Sequence, residues 1–337
     1  MNRFPALVFL LFIISCKTGK NSPDVSNIPV NAHIERFDQA LFAVDTNQIS
    51  QGMLNLARQY PYFINDFAVN ILGTSPFSDT SAEAFFACRR FISGYMPVRD
   101  SLELKFANMQ FVESSLKKGL QHLKYYFPKY NLPPKIVAYI GPFDAPGVAL
   151  TQYTLAIGLQ LYAGSHFPFY LSSQGQELFP VYISRRFEPA YIVPNCMKAL
   201  TEDIFPDQSG GKPLIEQMIE KGKSWWLMDQ LLPETEDSLK TGFTEKQLNW
   251  CVSNEGHIWN FFLEQNLYSI EPDLIKNFIG DGPYTQGMPD ASPGNIGQWV
   301  GWRIVQKYVS IHPEISPLDL MKTSPKVIFD EAKYKPH

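Results

Sequence analysis

Apolar and polar positions change their spacing several times along the 337-residue chain, and each change marks a different kind of element. Ala6 to Ile14 is an uncharged run, too short to span a bilayer as a helix. Lys17 to Val30 is polar and punctuated by Gly, Ser, Asn and Pro, the composition of a flexible tether. His33 to Phe42 mixes β-formers with charges and predicts a short strand followed by a turn of helix. Leu54 to Leu72 predicts helix with a break at Tyr60-Pro61, because the residue before a proline is pushed out of the helical region. From Ser101 to Phe127, the residues Met109, Val112, Leu116, Leu120, Leu123 and Phe127 recur at helical spacing, and Pro133-Pro134 closes the stretch. Ile136 to Ile140 is apolar and bounded by Pro and Gly, which predicts a strand. Thr151 to Tyr162 alternates, with Tyr153, Leu155, Ile157, Leu159 and Leu161 on one side, and predicts a half-exposed strand suited to a sheet edge. Beyond Tyr191 the pattern is mostly helical. Helices, a small mixed sheet and then helices again describe a mainly helical α+β fold.

Composition narrows the class. Hydrophobic residues make up 45% of the chain and aromatics 14%, enough for a packed core. The net charge of −4 is spread without long runs and offers no footprint for nucleic acid. The N-terminus is what sets the chain apart. Arg3 precedes the apolar run, and Ile13-Ile14-Ser15-Cys16 resembles a lipobox. Residues 1–15 therefore read as an export signal and Cys16 as the acylated (palmitate-bearing) first residue of the mature protein. Residues 16–30 become a lipidated tether and 31–337 a single domain. Acyl chains contribute about 0.8 kcal/mol per buried CH₂, so the expected partner at this end is the lipid bilayer. Lys17 stands where an aspartate would favour the inner membrane, which favours the periplasmic face of the outer membrane. The other cysteines, Cys88, Cys196 and Cys251, match no disulfide framework or zinc spacing; at most one disulfide can form among them, and buried free thiols are the simpler reading.

Three stretches carry candidate chemistry. Thr244-Glu245-Lys246-Gln247 has capping-box spacing, and Leu248, Cys251, Val252, Ile258, Trp259 and Phe262 follow as one apolar face of a helix. Glu255 falls on that face. A carboxylate there is a catalytic acid or ligand in a cleft, or one half of a buried ion pair, with Arg303 as partner; the ion pair is the simpler reading. In Ser292 to Val305, Ser292 suits a helix cap and Pro293 the first turn, while Gly297 and Gly301 share a face where a second backbone can approach. From Pro213 to Leu232, Ile215, Met218, Ile219, Gly222 and Trp226 form a stripe that Asp229 continues, and Glu216, Glu220 and Lys223 occupy a face expected to be solvated. Phe278 to Asn295 is rich in turn formers and reads as a binding loop or a long connector. None of the six histidines is four residues from another, so HExxH is absent, as are a GxSxG elbow and a P-loop. No cofactor or metal is expected.

Several short segments together resemble the GldB family of gliding-motility lipoproteins. They are Ile34-Glu35-Arg36-Phe37-Asp38, Tyr60-Pro61-Tyr62-Phe63, Gly222-Lys223, Leu231-Leu232-Pro233, Gln247-Leu248-Asn249-Trp250-Cys251, Asn254-Glu255 with Ile258-Trp259, Asp281-Gly282-Pro283, Pro293-Gly294-Asn295-Ile296-Gly297 with Gly301-Trp302, and Lys333-Tyr334-Lys335-Pro336. That family is in turn similar to predicted zinc-dependent proteases. The second similarity implies a zincin-like domain, with an edge strand before a helix bearing HExxH and a later helix supplying a glutamate ligand. Thr151 to Tyr162 takes the edge-strand position. Tyr191 to Phe205 takes the motif-helix position but holds no histidine. Glu220 lies near the later glutamate, with Lys221 in or beside the ligand position itself. Without imidazole ligands, zinc hydrolysis lacks its metal.

The leading expectation is a membrane-anchored, non-catalytic lipoprotein that supports the gliding machinery or its associated protein secretion, with other envelope proteins as partners. A competing expectation is an envelope hydrolase that kept the cleft and changed its chemistry, drawing on Glu220, Asp229, Glu255 and His257. A third, a module for cell-wall glycan, would need Trp225, Trp226 or Trp299 exposed, whereas core packing accounts for them better.

Overall fold

A computed structural model of the chain describes residues 22–77 and 82–336. The export signal and Cys16 lie outside the described residues. The chain opens with β1 (Ile34–Arg36) running directly into α1 (Phe37–Phe42). Helix α2 (Ile49–Gln59) ends at Tyr60, whose φ of −124° and ψ of 55° lie outside the helical region before Pro61, as the sequence predicts. The expected single helix over Ser101–Phe127 is two: α3 (Ala82–Lys105) and α4 (Gln110–Tyr126), with a turn between them. The turn is compatible with a continuous apolar pattern because Phe106 and Met109 are themselves buried within it.

Four strands form one mixed sheet in the order β1-β2-β4-β3. β2 (Lys135–Tyr139) is parallel to both β1 and β4 (Thr154–Gly158), and β3 (Val148–Leu150) is antiparallel to β4. The edge-strand expectation for Thr151–Tyr162 is overturned. β4 is flanked on both sides, all five of its residues are buried, and Leu159–Leu161 turns into a 3₁₀ segment. Alternation misleads here because the "polar" positions Thr154, Ala156 and Gln160 are small or internally satisfied. Gln160 accepts from the Gly141 N–H at 3.0 Å and so tolerates complete burial.

The remaining labelled elements are α5 (Ile192–Ile204), α6 (Leu214–Leu231), α7 (Glu245–Ser253), α8 (Glu255–Glu264), α9 (Ile296–Ile311) and α10 (Pro325–Ala332). Two cores result. One surrounds the sheet, where Phe37, Phe63, Phe67 and Tyr139 pack ring against ring. The other is built mainly from helices and centres on α6 and α9. α6 belongs to both: Leu214 to Trp226 feed the helical core, and Leu227, Met228 and Leu231 feed the sheet core.

Glycines set the α6–α9 contact, as their spacing suggests. A Cβ on Gly301 would lie 1.7 Å from the Met218 carbonyl oxygen, and one on Gly222 would lie 2.2 Å from the Gly301 carbonyl carbon. Two helix backbones touch at this point, and no side chain fits between them. Ser292, expected as a cap, is instead buried, with its hydroxyl accepting from the Thr285 N–H. α9 starts at Ile296, behind Asn295, which takes a left-handed conformation at φ 44°.

Residues 22–30, expected to be part of a flexible tether, lie against α4. Ser22 Oγ is 2.8 Å from His122 Nε2, and the Gln121 amide donates to the carbonyls of Ser26 and Ile28. Cys88, Cys196 and Cys251 are free and buried. No helix of the described residues is long and apolar enough to cross a membrane.

Candidate functional site

The capping box at Thr244 forms as read: its hydroxyl accepts from the Gln247 N–H, and the Gln247 side chain accepts from the Thr244 N–H. The helix it starts is shorter than expected. α7 stops at Asn254 and α8 begins with Glu255, so Glu255 opens a helix instead of interrupting the face of one, and Val252 is exposed. Glu255 accepts from Arg303 Nε at 2.7 Å, from Arg303 Nη2 at 3.2 Å and from the Tyr334 hydroxyl at 2.5 Å. This fork-shaped pairing is the ion pair anticipated with Arg303. It ties the C-terminal Lys333–Pro336 segment to α8 and α9. His257 is exposed and takes no part.

Asp229 is only 2% exposed. It accepts from Lys240 Nζ at 2.5 Å and from Trp302 Nε1 at 3.1 Å. Lys240 also reaches Asp237 at 2.7 Å. Its buried amine is penalised by desolvation, but the two aspartates outweigh this and raise its pKa.

Glu220 pairs with Lys223 at 2.8 Å. The solvated face expected here is not what forms. Lys223 is buried, and its amine also donates to the carbonyls of Met321 and Thr323 at 2.9 and 3.2 Å. Glu220, Asp229 and Glu255 thus lie in three separate ion pairs and do not converge. Trp225, Trp226 and Trp299 are all core residues, which removes the exposed face that glycan recognition would need.

Two hollows flank α5. One, about 530 Å³, is an apolar groove between α4, α5 and the Leu231–Leu239 segment, lined also by His122. The smaller, about 300 Å³, holds the chemistry. It lies where α6 passes from one core to the other. α5 contributes Lys198 and Glu202; α6 contributes Glu220, Lys221, Ser224 and Trp225. The turn before α9 closes it with Asp281 and Asn295. Asp281 accepts from Arg186 Nη2 at 3.2 Å and from Asn295 Nδ2 at 3.3 Å, which holds the left-handed turn in place. Asp207 is raised by burial, but donation from Ser209 and Lys221 outweighs this and holds it at about 2.

Lys198 differs from the other cations of the cleft. Among the described residues its amine makes no hydrogen bond or ion pair. Burial first, and then the Arg186 charge, push it down to about 8 against the opposing pull of Asp281 and Glu202. Sequence reading missed Lys198 and Arg186. The signal for them lay in their surroundings: Asp281-Gly282-Pro283 and Pro293-Gly294-Asn295 are the turn that faces them.

The cleft joins the two helices that the zinc-protease resemblance pairs, α5 and α6, but the residues present do not fit zinc. Among the described residues no three His, Cys, Asp or Glu side chains are grouped to hold a metal ion. The cleft presents the amines of Lys198 and Lys221 beside Glu220 instead of a ligand set.

Fold and cleft together define a mixed α+β domain whose polar pocket is built from paired charges at the junction of two cores. The chain belongs to the family of gliding motility protein GldB, whose model matches residues 18–336. No curated protein and no solved structure matches the chain significantly.

Proposed function

We propose that the protein is a lipid-anchored, non-catalytic component of the cell envelope that supports the gliding machinery or its associated protein secretion. The family match across residues 18–336 carries this reading. The lipobox ending at Cys16 supports anchorage, and Lys17 after it favours the outer membrane, on its periplasmic face. A non-catalytic role is supported by the charges. Glu220, Asp229 and Glu255, the three candidate carboxylates of the sequence, each neutralise a basic side chain. A general base must be free to take a proton from a substrate, and these three are engaged. A zincin-like ancestry fits the helix order, with α5 and α6 facing each other across the cleft, and leaves a pseudo-enzyme whose rigid scaffold serves binding.

The test is deletion in a gliding host, followed by complementation. Wild-type protein restores spreading and secretion, whereas Cys16→Ala, which cannot be acylated, leaves the membrane fraction and restores neither. Intact motility and secretion after deletion would refute the role. Stoichiometric zinc in purified protein, with peptidase activity lost on chelation, would replace the non-catalytic reading with the envelope hydrolase.

A further inference from the structure

We propose that the α5–α6 cleft binds the free carboxylate at a peptide C-terminus, with Lys198 as counter-ion and the wall formed by Trp225 and Phe205 receiving the last side chain. The argument rests on charge left over after pairing. Arg186 is held by Asp281, Lys221 by Asp207 at 2.9 Å and Lys223 by Glu220. Lys198 alone of the four lacks a partner among the described residues, and it lines a hollow of about 300 Å³. That volume lies at the small end of ligand pockets and suits one or two residues of a peptide.

One available positive charge suits a monoanion. Glu202 and Asp281 act on the same amine, so a phosphate dianion entering here meets two carboxylates as well as one ammonium. A second source of favourable field is α9. Asn295 and Gln298, from its opening turn, line the cleft, and its N-cap side chain makes no capping bond. The Gln298 N–H is bonded to the Asn295 carbonyl at 2.9 Å, so what the sixteen-residue helix offers is the positive end of its dipole, which favours negative charge. The apolar wall adds the side-chain preference: Trp225 and Met228 are fixed by the core behind them. Asn295, a non-glycine residue at positive φ, shapes the rim through its bond to Asp281.

The experiment uses the full mature chain and two probes that differ in one group: N-acetyl-alanyl-leucine as the free acid and as the C-terminal amide. Binding is followed by Trp fluorescence and by NMR of ¹³Cε-lysine, with the Lys198 signal assigned through Lys198→Arg. The acid is expected to bind at least about tenfold more tightly than the amide, the yield of one charge-assisted hydrogen bond, and to shift the Lys198 signal. Lys198→Met is expected to bind acid and amide alike, and Lys198→Arg to keep the preference. Equal binding of acid and amide to the wild-type protein overturns the proposal without recourse to any variant. So does an absence of saturable binding at millimolar probe, and so does inorganic phosphate binding more tightly than the acid.

Discussion

Lys198→Met is expected to stabilise the protein at neutral pH, the opposite of what removing a half-buried core-edge residue ordinarily does. The lysine is pushed down to about 8 from an ordinary value of 10.5, chiefly by burial. At about 1.4 kcal/mol for each tenfold change in proton affinity, the folded protein bears a penalty of at most about 3 kcal/mol for holding this charge. The cleft admits solvent, which lowers the net effect to about 1–2 kcal/mol. Methionine keeps the length of the stem and drops the charge. The pH dependence fixes the sign. Below pH 8 the lysine is protonated in both states, and the full penalty is present. Between 8 and 10.5 the unfolded chain binds more protons than the folded one, so wild-type stability rises with pH through that window. Arg186, Asp281 and Glu202 act on the same charge, and their pushes and pulls are already contained in the lowered value, so they are lost with the lysine and follow the same pH window. Urea unfolding followed by tryptophan fluorescence at pH 7 and pH 10 measures it. Lys198→Met should be the more stable at pH 7, and the gap should shrink towards zero at pH 10. A variant less stable than wild type at pH 7, or a gap that ignores pH, would refute the assignment of Lys198 as an unpaired, desolvated amine.

Other substitutions test the frame around the cleft. Gly301→Ala places a methyl 1.7 Å from the Met218 carbonyl oxygen and should cost about 3 kcal/mol or more, read as a lowered melting temperature. Gly256→Ala, in α8 with nothing within 4 Å of the new methyl, should instead gain up to about 1 kcal/mol in the same melts. Asp229→Leu leaves the Lys240 amine, 4% exposed, with only Asp237 and should cost about 3–5 kcal/mol in urea. Adding Lys240→Met should recover all but about 1 kcal/mol, the remainder belonging to the orphaned Trp302 N–H. Thr244→Ala removes the cap of α7 and should cost about 1 kcal/mol by denaturant titration.

Much of the fold was legible in the sequence where one physical signal dominated. β1 and α1, the break at Tyr60-Pro61, β2, the cap at Thr244 and the glycine contact of α9 all follow from local rules of turn, cap and close approach. The failures are places where distant residues decide. β4 alternates like an edge strand, yet β2 and β3 flank it and internal hydrogen bonds satisfy Gln160. Lys223 reads as solvated, and only the fold brings the carbonyls of Met321 and Thr323, about a hundred residues away, onto its amine. The Glu255–Arg303 pair was readable because a carboxylate on an apolar face must find a cation and few are near enough in pattern. Lys198 was not, since a lysine on an amphipathic helix carries no mark of having been left unpaired.

The arrangement of charges explains why the cleft is the informative part of this domain. α6 leaves the helical core and enters the sheet core at Trp226–Leu227, and a helix shared by two cores has little freedom to shift. Its carboxylates at 220 and 229 are each matched by a lysine, so along α6 the fold has neutralised the charges it buried. Facing α6 across the same hollow, α5 holds one lysine to which this was not applied. Burial penalises that amine, and the simplest way to relieve the penalty would be an aspartate or glutamate partner of the kind used three times within the neighbouring sequence. A fold that pairs Lys221, Lys223 and Lys240 and leaves Lys198 open keeps a place for an anion that arrives from outside the chain.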